Sequence, residues 1–455
     1  MAGHVSTALI DAVLDPGSFT SWDRPAALDS RYLLEAAERA GTDEAVLTGR
    51  GLVRGRAVAV LVSEFAFLAG SIGRVAAERI TSAVRRATAE RLPIVASTAS
   101  GGTRMQEGAP AFLEMITISR ALMDHKAAGL PYLVHLRHPT TGGVFASWGS
   151  LGHVTVAEPG ALIGFLGPKV YQALHGEPFP PGVQTAENLA AHGVIDGVVE
   201  TADLSYLLDR ALGVLVDPPV APALPRRTGS LGEADAWESV LRTRRADRPG
   251  VRELLRYGAA GTVRLTESDA SVLVALTRLD GQPCVLVGQD RSQVKAMGPA
   301  ALRQARRGMN LAEALGLPLV TVIDTPGAEL SPSAEEGGLA GEIAQCIATM
   351  ATLTVPTLSV LLGQGTGGGA LALLPATTVL ATEHAWLAPL PPEGASAIMY
   401  RDTAHAPVMA ASQRITAAAL QAVGTVQHVV PEHDADTAQS LCQAVAAECA
   451  ARLSR

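Results

Sequence analysis

The sequence predicts an α/β protein in which one fold is built twice in tandem. Two observations carry that prediction. Short β-branched runs end at glycine-rich turns and lead into helical stretches, and the same runs recur 225 residues downstream, as at Leu92 and Leu317. Composition agrees: 48% apolar and 18% charged residues over 455 positions supply a packed core and length for about two or three domains.

In the first half, "LPIVAST" from Leu92 reads as a buried strand, since a continuous β-branched run suits a strand covered on both faces. The helical stretch "FLEMITISRALMDHKAAG" (112–129) and the strand run "PYLVHL" follow. The second half repeats this order with "LPLVTVID" from Leu317, "GEIAQCIATMATLT" (341–354) and "PTLSVLL". Strand, turn, helix and strand at this spacing imply parallel strands joined by helical crossovers. Further pairs keep the 225-residue offset: Gly73 with Gly298, Leu130 with Val355, and Glu158 with Glu383. Between the halves, the proline-rich "DPPVAPALPRRTGSLGEADA" (217–236) has no apolar periodicity and reads as a linker. The expected organisation is a domain over 1–216, a linker over 217–236, and a domain over 237–455.

Several function classes lose support on charge and spacing. A formal net charge of −8 offers no general attraction to nucleic acid or to an anionic membrane surface. Cys284, Cys346, Cys442 and Cys449 form no CxxC pair, so a zinc ribbon is not expected. The eleven histidines show no HxxxH or HExxH spacing, and no metal site is expected. The N-terminus lacks a basic flank before an apolar core, and no apolar run approaches a membrane span. A cytoplasmic location is the expectation.

The chemistry is read at four turns: Gly101-Gly102, Gly142-Gly143, Pro326-Gly327 and Gly367-Gly368-Gly369. Glycine at a strand-to-helix turn permits positive φ and close approach of a ligand to the backbone. The first N–H groups of the next helix then face outward, where the helix dipole favours negative charge. Two such turns side by side can donate two hydrogen bonds to one developing oxyanion. A lone glycine pair is more often only a tight turn, and it is the duplication that favours the oxyanion reading. None of the four reads as GxGxxG with a distal acidic residue or as a GKS/GKT phosphate loop.

These motifs resemble a known family. "SEFAFLAGSIG", "SGGTRMQEG", "GLPYLVHLRHPTTGGVFAS", "VAEPGALIGFLGPKV" and "PPGVQTAENLAAHGVIDGVVE" are similar to the carboxyltransferase β subunit of bacterial acetyl-CoA carboxylase. "GMNLAEALGLPLVTVIDTPGAELSPSAEEGG", "GQGTGGGALALL" and "PPEGASAIMYRD" resemble its α subunit. The resemblance runs from about residue 46 to 432, and the fused arrangement also resembles single-chain propionyl-CoA-type carboxyltransferases. It implies two tandem crotonase-like ββα-superhelix domains. The chain departs from the pattern in lacking the N-terminal four-cysteine zinc ribbon and in an abbreviated α-subunit leader, of which "ADRPGVRELLR" is the remnant.

The resemblance implies transfer of a carboxyl group from carboxybiotin, carried on a separate protein, to the α-carbon of an acyl-CoA. Gly101, Gly102, Gly142 and Gly143 would face the acyl-CoA thioester. Gly327 with Gly368 and Gly369 would face biotin, although the pair Gly367-Gly368 keeps the offset better. Arg104, with Glu107, either orients a ligand or ties down its loop; Glu335 and Glu336 stand similarly. Lys295, Arg303, Arg306 and Arg307 form a basic stretch that is either a CoA or biotin contact or a solvated helix face. Ala370 and Ala372 are candidates for shaping the pocket, His138 more readily reads as an ordinary turn histidine, and Met297 and Met309 read as core. No Met-Lys-Met biotinyl acceptor is present, so a biotin carboxyl carrier protein and a biotin carboxylase are the implied partners. The family also implies a dimer-based homo-oligomer, up to a hexamer, with each site formed where the N-half of one protomer meets the C-half of another. The rival on the same fold is a biotin-independent decarboxylase of malonyl-CoA or malonyl-acyl carrier protein. More distant alternatives are a non-catalytic scaffold and a crotonase-type hydrolase or isomerase, which would need a placed carboxylate or histidine.

Overall fold

The computed structural model describes residues 5–454 apart from 230, 233–234, 266–267 and 294–295. Two compact units, Met1–Leu212 and Gly213–Arg455, each contain one eight-stranded sheet. The first holds β1 (Thr20–Ser21), β2 (Val46–Val53), β3 (Arg56–Ser63), β4 (Ile94–Ser100), β5 (Tyr132–Thr141), β6 (Val154–Ala157), β7 (Ile163–Gly164) and β8 (Gly197–Val198). The second holds β9 (Ala259–Leu265), β10 (Val272–Leu279), β11 (Gln282–Gln289), β12 (Leu319–Thr325), β13 (Thr357–Thr366), β14 (Thr378–Thr382), β15 (Trp386–Ala388) and β16 (His428–Val430).

The sheets have the same topology. The first runs β1-β2-β3-β4-β5-β6-β8 with β7 beside β5; the second runs β9-β10-β11-β12-β13-β14-β16 with β15 beside β13. From β3 and from β11 onward the strands are parallel, as the strand–helix–strand order requires. The first strands of each sheet are antiparallel, a feature that the crossover pattern did not reveal. A two-residue hairpin joins β2 to β3 through Arg54-Gly55 and another joins β10 to β11 through Asp280-Gly281, all four with positive φ. That is the turn whose twist matches a right-handed strand pair.

Helices cover the sheets by apolar burial. The helices Arg74–Ala89 and Gly108–Ala127 share a core with Leu61, Ala96 and Val134 of the first sheet. In the second unit, Val251–Gly258 and Ala438–Leu453 pack on the Leu273, Leu286 and Val322 face. The helix Pro299–Leu315 covers the opposite face, where Gly308 lies so close to Val287 and Val274 that a Cβ there would be 2.5 Å from a Val287 methyl. The expected helices at 112 and 341 begin earlier, at Gly108 and Leu339. All four cysteines are buried and reduced, and no described helix is long and apolar enough to cross a membrane.

The units divide between Leu212 and Gly213, inside the helix Thr201–Leu215, rather than at 216/217. The segment expected as a linker lies against the second unit. Arg278 donates to the carbonyls of Asp217 and Pro218, and Ala223 and Leu224 donate their N–H groups to Asp280. Arg226 pairs with Glu448, and Arg227 with Asp436. Proline keeps this stretch extended, but these backbone groups and both arginines find partners in the unit beneath, so over 217–227 it is a strap.

Candidate active site

Both sheets carry the same irregularity at the same place. The β4–β5 ladder pairs Ile94 with Tyr132 through Thr98 with Leu136, then resumes at Ser100 with Thr140. The β12–β13 ladder pairs Leu319 with Thr357 through Ile323 with Leu361, then resumes at Thr325 with Gly365. Each interruption bends two adjacent parallel strands at their carboxyl ends, where open α/β sheets bind ligands. The glycine turns begin directly beyond it.

In the first unit, Gly102 has φ +106° and Gly142 has φ +63°. A Cβ on Gly102 would sit 3.4 Å from the Gly143 nitrogen and 3.5 Å from the Gly142 Cα; one on Gly142 would sit 3.4 Å from the Gly102 Cα. The predicted pairs therefore face each other in van der Waals reach, and it is the positive φ of Gly102 and Gly142 that disfavours a side chain there. Gly101 plays a different part: its φ is not positive, and a Cβ there would come no closer than 3.5 Å to the Ala69 carbonyl. The Gly102 N–H donates to Ser100 Oγ (3.0 Å) and the Gly142 N–H to the Phe165 carbonyl (3.0 Å). Gly143 follows at the start of the short helix Gly142–Phe145, where no carbonyl lies four residues back within the helix.

The second unit repeats the arrangement. Gly327 has φ +137° and Gly367 has φ +58°, and the Gly327 N–H donates to Thr325 Oγ1 (3.2 Å) as Gly102 does to Ser100. Gly367 thus matches Gly142, and Gly368 matches Gly143. The glycine that faces the opposite turn is nevertheless Gly369, whose Cβ would lie 3.4 Å from the Ala328 nitrogen. A Cβ on Gly368 would instead meet Ile343 at 2.6 Å. Ser100 and Thr325, whose hydroxyls hold these turns, carry no motif of their own, although they too stand 225 apart at the ends of the matched strands.

The charged candidates lie elsewhere. Arg104 is 1% exposed, with its guanidinium against the Glu44 carboxylate, 3.1 Å from Glu107 and 3.0 Å from the Ser71 carbonyl. Burial opposes its charge, but Glu44 and Glu107 more than offset that and raise its pKa above the ordinary value. Of the two roles open to Arg104, its contacts are those of a loop tie. Glu107 also accepts from the Arg74 N–H at the start of the preceding helix, Arg74–Ala89 (2.7 Å). A cavity of about 760 Å³ borders Arg104, Glu107, Arg74 and Tyr32, but none of the cradle glycines lines it. Arg303 is on the helix Pro299–Leu315 and pairs with Glu342, which also takes Arg306. Ala370 and Ala372 have no exposed surface and are core residues as the structure stands. Lys295 lies outside the described residues. His138 accepts the Leu162 N–H at Nδ1 (3.1 Å), and Met297 and Met309 are buried. Among the described residues no cluster of His, Cys, Asp or Glu could hold a metal ion.

Beside the second cradle, Asp324 is enclosed between Arg291 (3.0 Å) and the Gln364 N–H (3.0 Å). Burial pushes its carboxyl above the usual range despite the Arg291 charge. A cavity of about 160 Å³ adjoins it, lined in part by Arg291, Thr325, Pro326 and Gln364.

Paired glycine turns at the ends of parallel strands, present in both units, form backbone cradles of the kind that can offer main-chain donors to a ligand oxygen. The carboxyl transferase domain family matches residues 4–446, and the chain belongs to that family. It is 58% identical, over 98% of its length and 94% of the relative's, to a protein of Mycobacterium tuberculosis described as a probable biotin-dependent acyl-coenzyme A carboxylase beta3 subunit. Identity to the acetyl-coenzyme A carboxylase carboxyl transferase subunits beta/alpha of Salinispora arenicola is 39%, covering 94% of this chain and 82% of that one. Among solved structures, transcarboxylase 12S aligns with a TM-score of 0.77 at 20% identity over 99% of this chain and 90% of that one. A single-chain, multi-domain long-chain acyl-CoA carboxylase aligns with a TM-score of 0.76 at 21% identity, over 98% of this chain and 45% of that one. These likenesses agree with the crotonase-like reading of both units.

Proposed function

We propose that this chain is the carboxyltransferase component of a biotin-dependent acyl-CoA carboxylase, moving carboxyl to the α-carbon of an acyl-CoA. The observation that carries the reading is the doubled cradle: two pairs of glycine turns, each behind the same strand irregularity. The reaction has two oxygens to stabilise, one on the thioester enolate and one on the ureido ring, so two cradles suit it better than one. The first-unit turns receive the thioester oxygen as the α-proton leaves and charge builds on it. The second-unit turns receive the ureido oxygen. Their fit to a planar ring edge lies in the missing side chains, because a methyl on Gly369 would occupy the space over the Ala328 nitrogen. When bound, biotin supplies the carboxyl on its N1 and, once that has left, a nitrogen able to take the α-proton. The chain's own part is to bind, orient and stabilise charge, and His138 is already engaged with Leu162.

The reading extends to a biotin carboxyl carrier protein and a biotin carboxylase as partners, and to a homo-oligomer. Exposed Phe112, Leu113, Ile116 and Met123 on the helix Gly108–Ala127, and Ile398, Met399 and Tyr400 in the second unit, support a covered surface in the assembly. The test is to supply the purified chain with biotin carboxylase, the biotinylated carrier, ATP, labelled bicarbonate and a panel of acyl-CoAs. Acid-stable label that requires every component supports the proposal. Steady CO2 release from malonyl-CoA alone, without biotin, replaces it with the decarboxylase reading.

A further inference from the structure

Gln289 ends β11, and its side chain is buried. Its Oε1 accepts the Asp324 N–H (3.0 Å), and its Nε2 donates to the Gly369 carbonyl (2.7 Å) and lies 3.2 Å from Met297 Sδ. The partners settle which way the amide points, since a backbone N–H only donates and a carbonyl only accepts. One side chain thus bridges the strand end leading into Thr325-Pro326-Gly327 and the glycine that faces that turn.

We propose that Gln289 is a positioning residue for the second cradle, holding the helix Gly367–Leu371 at a set distance from the Ala328 N–H. The inference rests on the carboxyltransferase reading of that cradle. The first unit is the internal control. There the residue ending β3 is Ser63, whose Oγ lacks a hydrogen-bond partner, and the residue matching Asp324 is Ala99. The turns of the first cradle still meet, with a Cβ on Gly102 placed 3.4 Å from the Gly143 nitrogen, so the fold does not need such a brace. What differs is the residue matching Gly369, which is the fully buried Val144. In the first unit that helix start is anchored by apolar packing; in the second, glycine leaves room at the cradle and forfeits the anchor. The Gln289 hydrogen bond to its carbonyl restores it. Asp324 reinforces the same wall through the Gln364 N–H and Arg291.

The test uses Gln289→Met, similar in volume but unable to meet either backbone partner, and Gln289→Asn, which keeps the amide but shortens its reach. Both are assayed in the complete system with biotin carboxylase, carrier and acyl-CoA, alongside circular dichroism and thermal unfolding. Gln289→Met is expected to lower kcat about 10- to 100-fold, the scale of a misplaced catalytic geometry. KM for acyl-CoA should stay within about twofold, because that substrate meets the other unit's turns. Gln289→Asn should lose less, in the same direction. A folded variant of either kind with wild-type kcat overturns the proposal, as does a parallel rise in KM for acyl-CoA. If the wild-type chain carboxylates no acyl-CoA, the carboxyltransferase reading itself fails, before any variant is compared.

Discussion

Gly101 and Gly102 are adjacent, and the structure assigns them opposite tolerance to a side chain. Gly102 has φ +106°, where an L residue is strained by about 1–2 kcal/mol, and its Cβ would sit 3.4 Å from the Gly143 nitrogen. Gly101 lacks the positive φ, and its nearest neighbour, the Ala69 carbonyl at 3.5 Å, is an ordinary van der Waals contact. Gly102→Ala therefore places a methyl over an amide that is to meet the thioester oxygen. Loss of one such donor costs about 2.7–4 kcal/mol of transition-state stabilisation, or roughly 10²–10³ in kcat. Gly101→Ala should cost less than about tenfold. The assay is steady-state fixation of labelled bicarbonate into acyl-CoA, with thermal unfolding as the control for folding. If Gly102→Ala folds and turns over within tenfold of wild type, the first-unit turns do not hold the oxyanion and the reasoning is refuted.

Other outcomes follow from the same contacts. Gly369→Val should abolish carboxyl transfer while KM for acyl-CoA, where residual turnover permits its measurement, stays unchanged; a raised KM would move Gly369 to the acyl-CoA side. Arg104→Met strands the Glu44 and Glu107 carboxylates, so the unfolding free energy should fall by about 3–5 kcal/mol; a changed KM with unchanged stability would show a ligand contact instead. His135 and His153 are each driven down to about 3, by burial first and then by Arg137 beside the one and Lys126 and His125 beside the other. Their folded pKa lies below the unfolded value near 6.5, so their stabilising contribution is full above that value and declines as pH falls from there toward 3. At pH 5 each should cost about 2 kcal/mol, and His135→Gln should flatten the decline in melting temperature between pH 7.5 and 5; an unchanged slope would contradict the assignment. Trypsin should spare the Arg227–Thr228 bond of the native protein, because Arg227 is bound to Asp436; early cleavage there would show a loose linker.

The sequence by itself determined that one strand–turn–helix–strand unit is present twice and that glycine turns mark equivalent points in each. Those properties are local: backbone freedom, β-branched runs and a constant offset are legible residue by residue. The Asp280-Gly281 hairpin is local in the same sense, a two-residue turn with positive φ at both positions. Tertiary structure alone decided which glycines face each other, since Gly369 and Gly368 differ only in the direction their missing side chains would take. It also set the contacts of Arg104, whose partner Glu44 lies sixty residues earlier. The proline-rich segment became a strap for a comparable reason: its composition sets an extended backbone, but the acids that bind its arginines stand more than two hundred residues on. Gln289 carries no motif at all, and its place as a brace exists only once β11, β12 and the helix Gly367–Leu371 are packed. Propensity and periodicity act over a few residues, whereas charge neutralisation, cradle width and bracing are set by whatever the fold brings into contact.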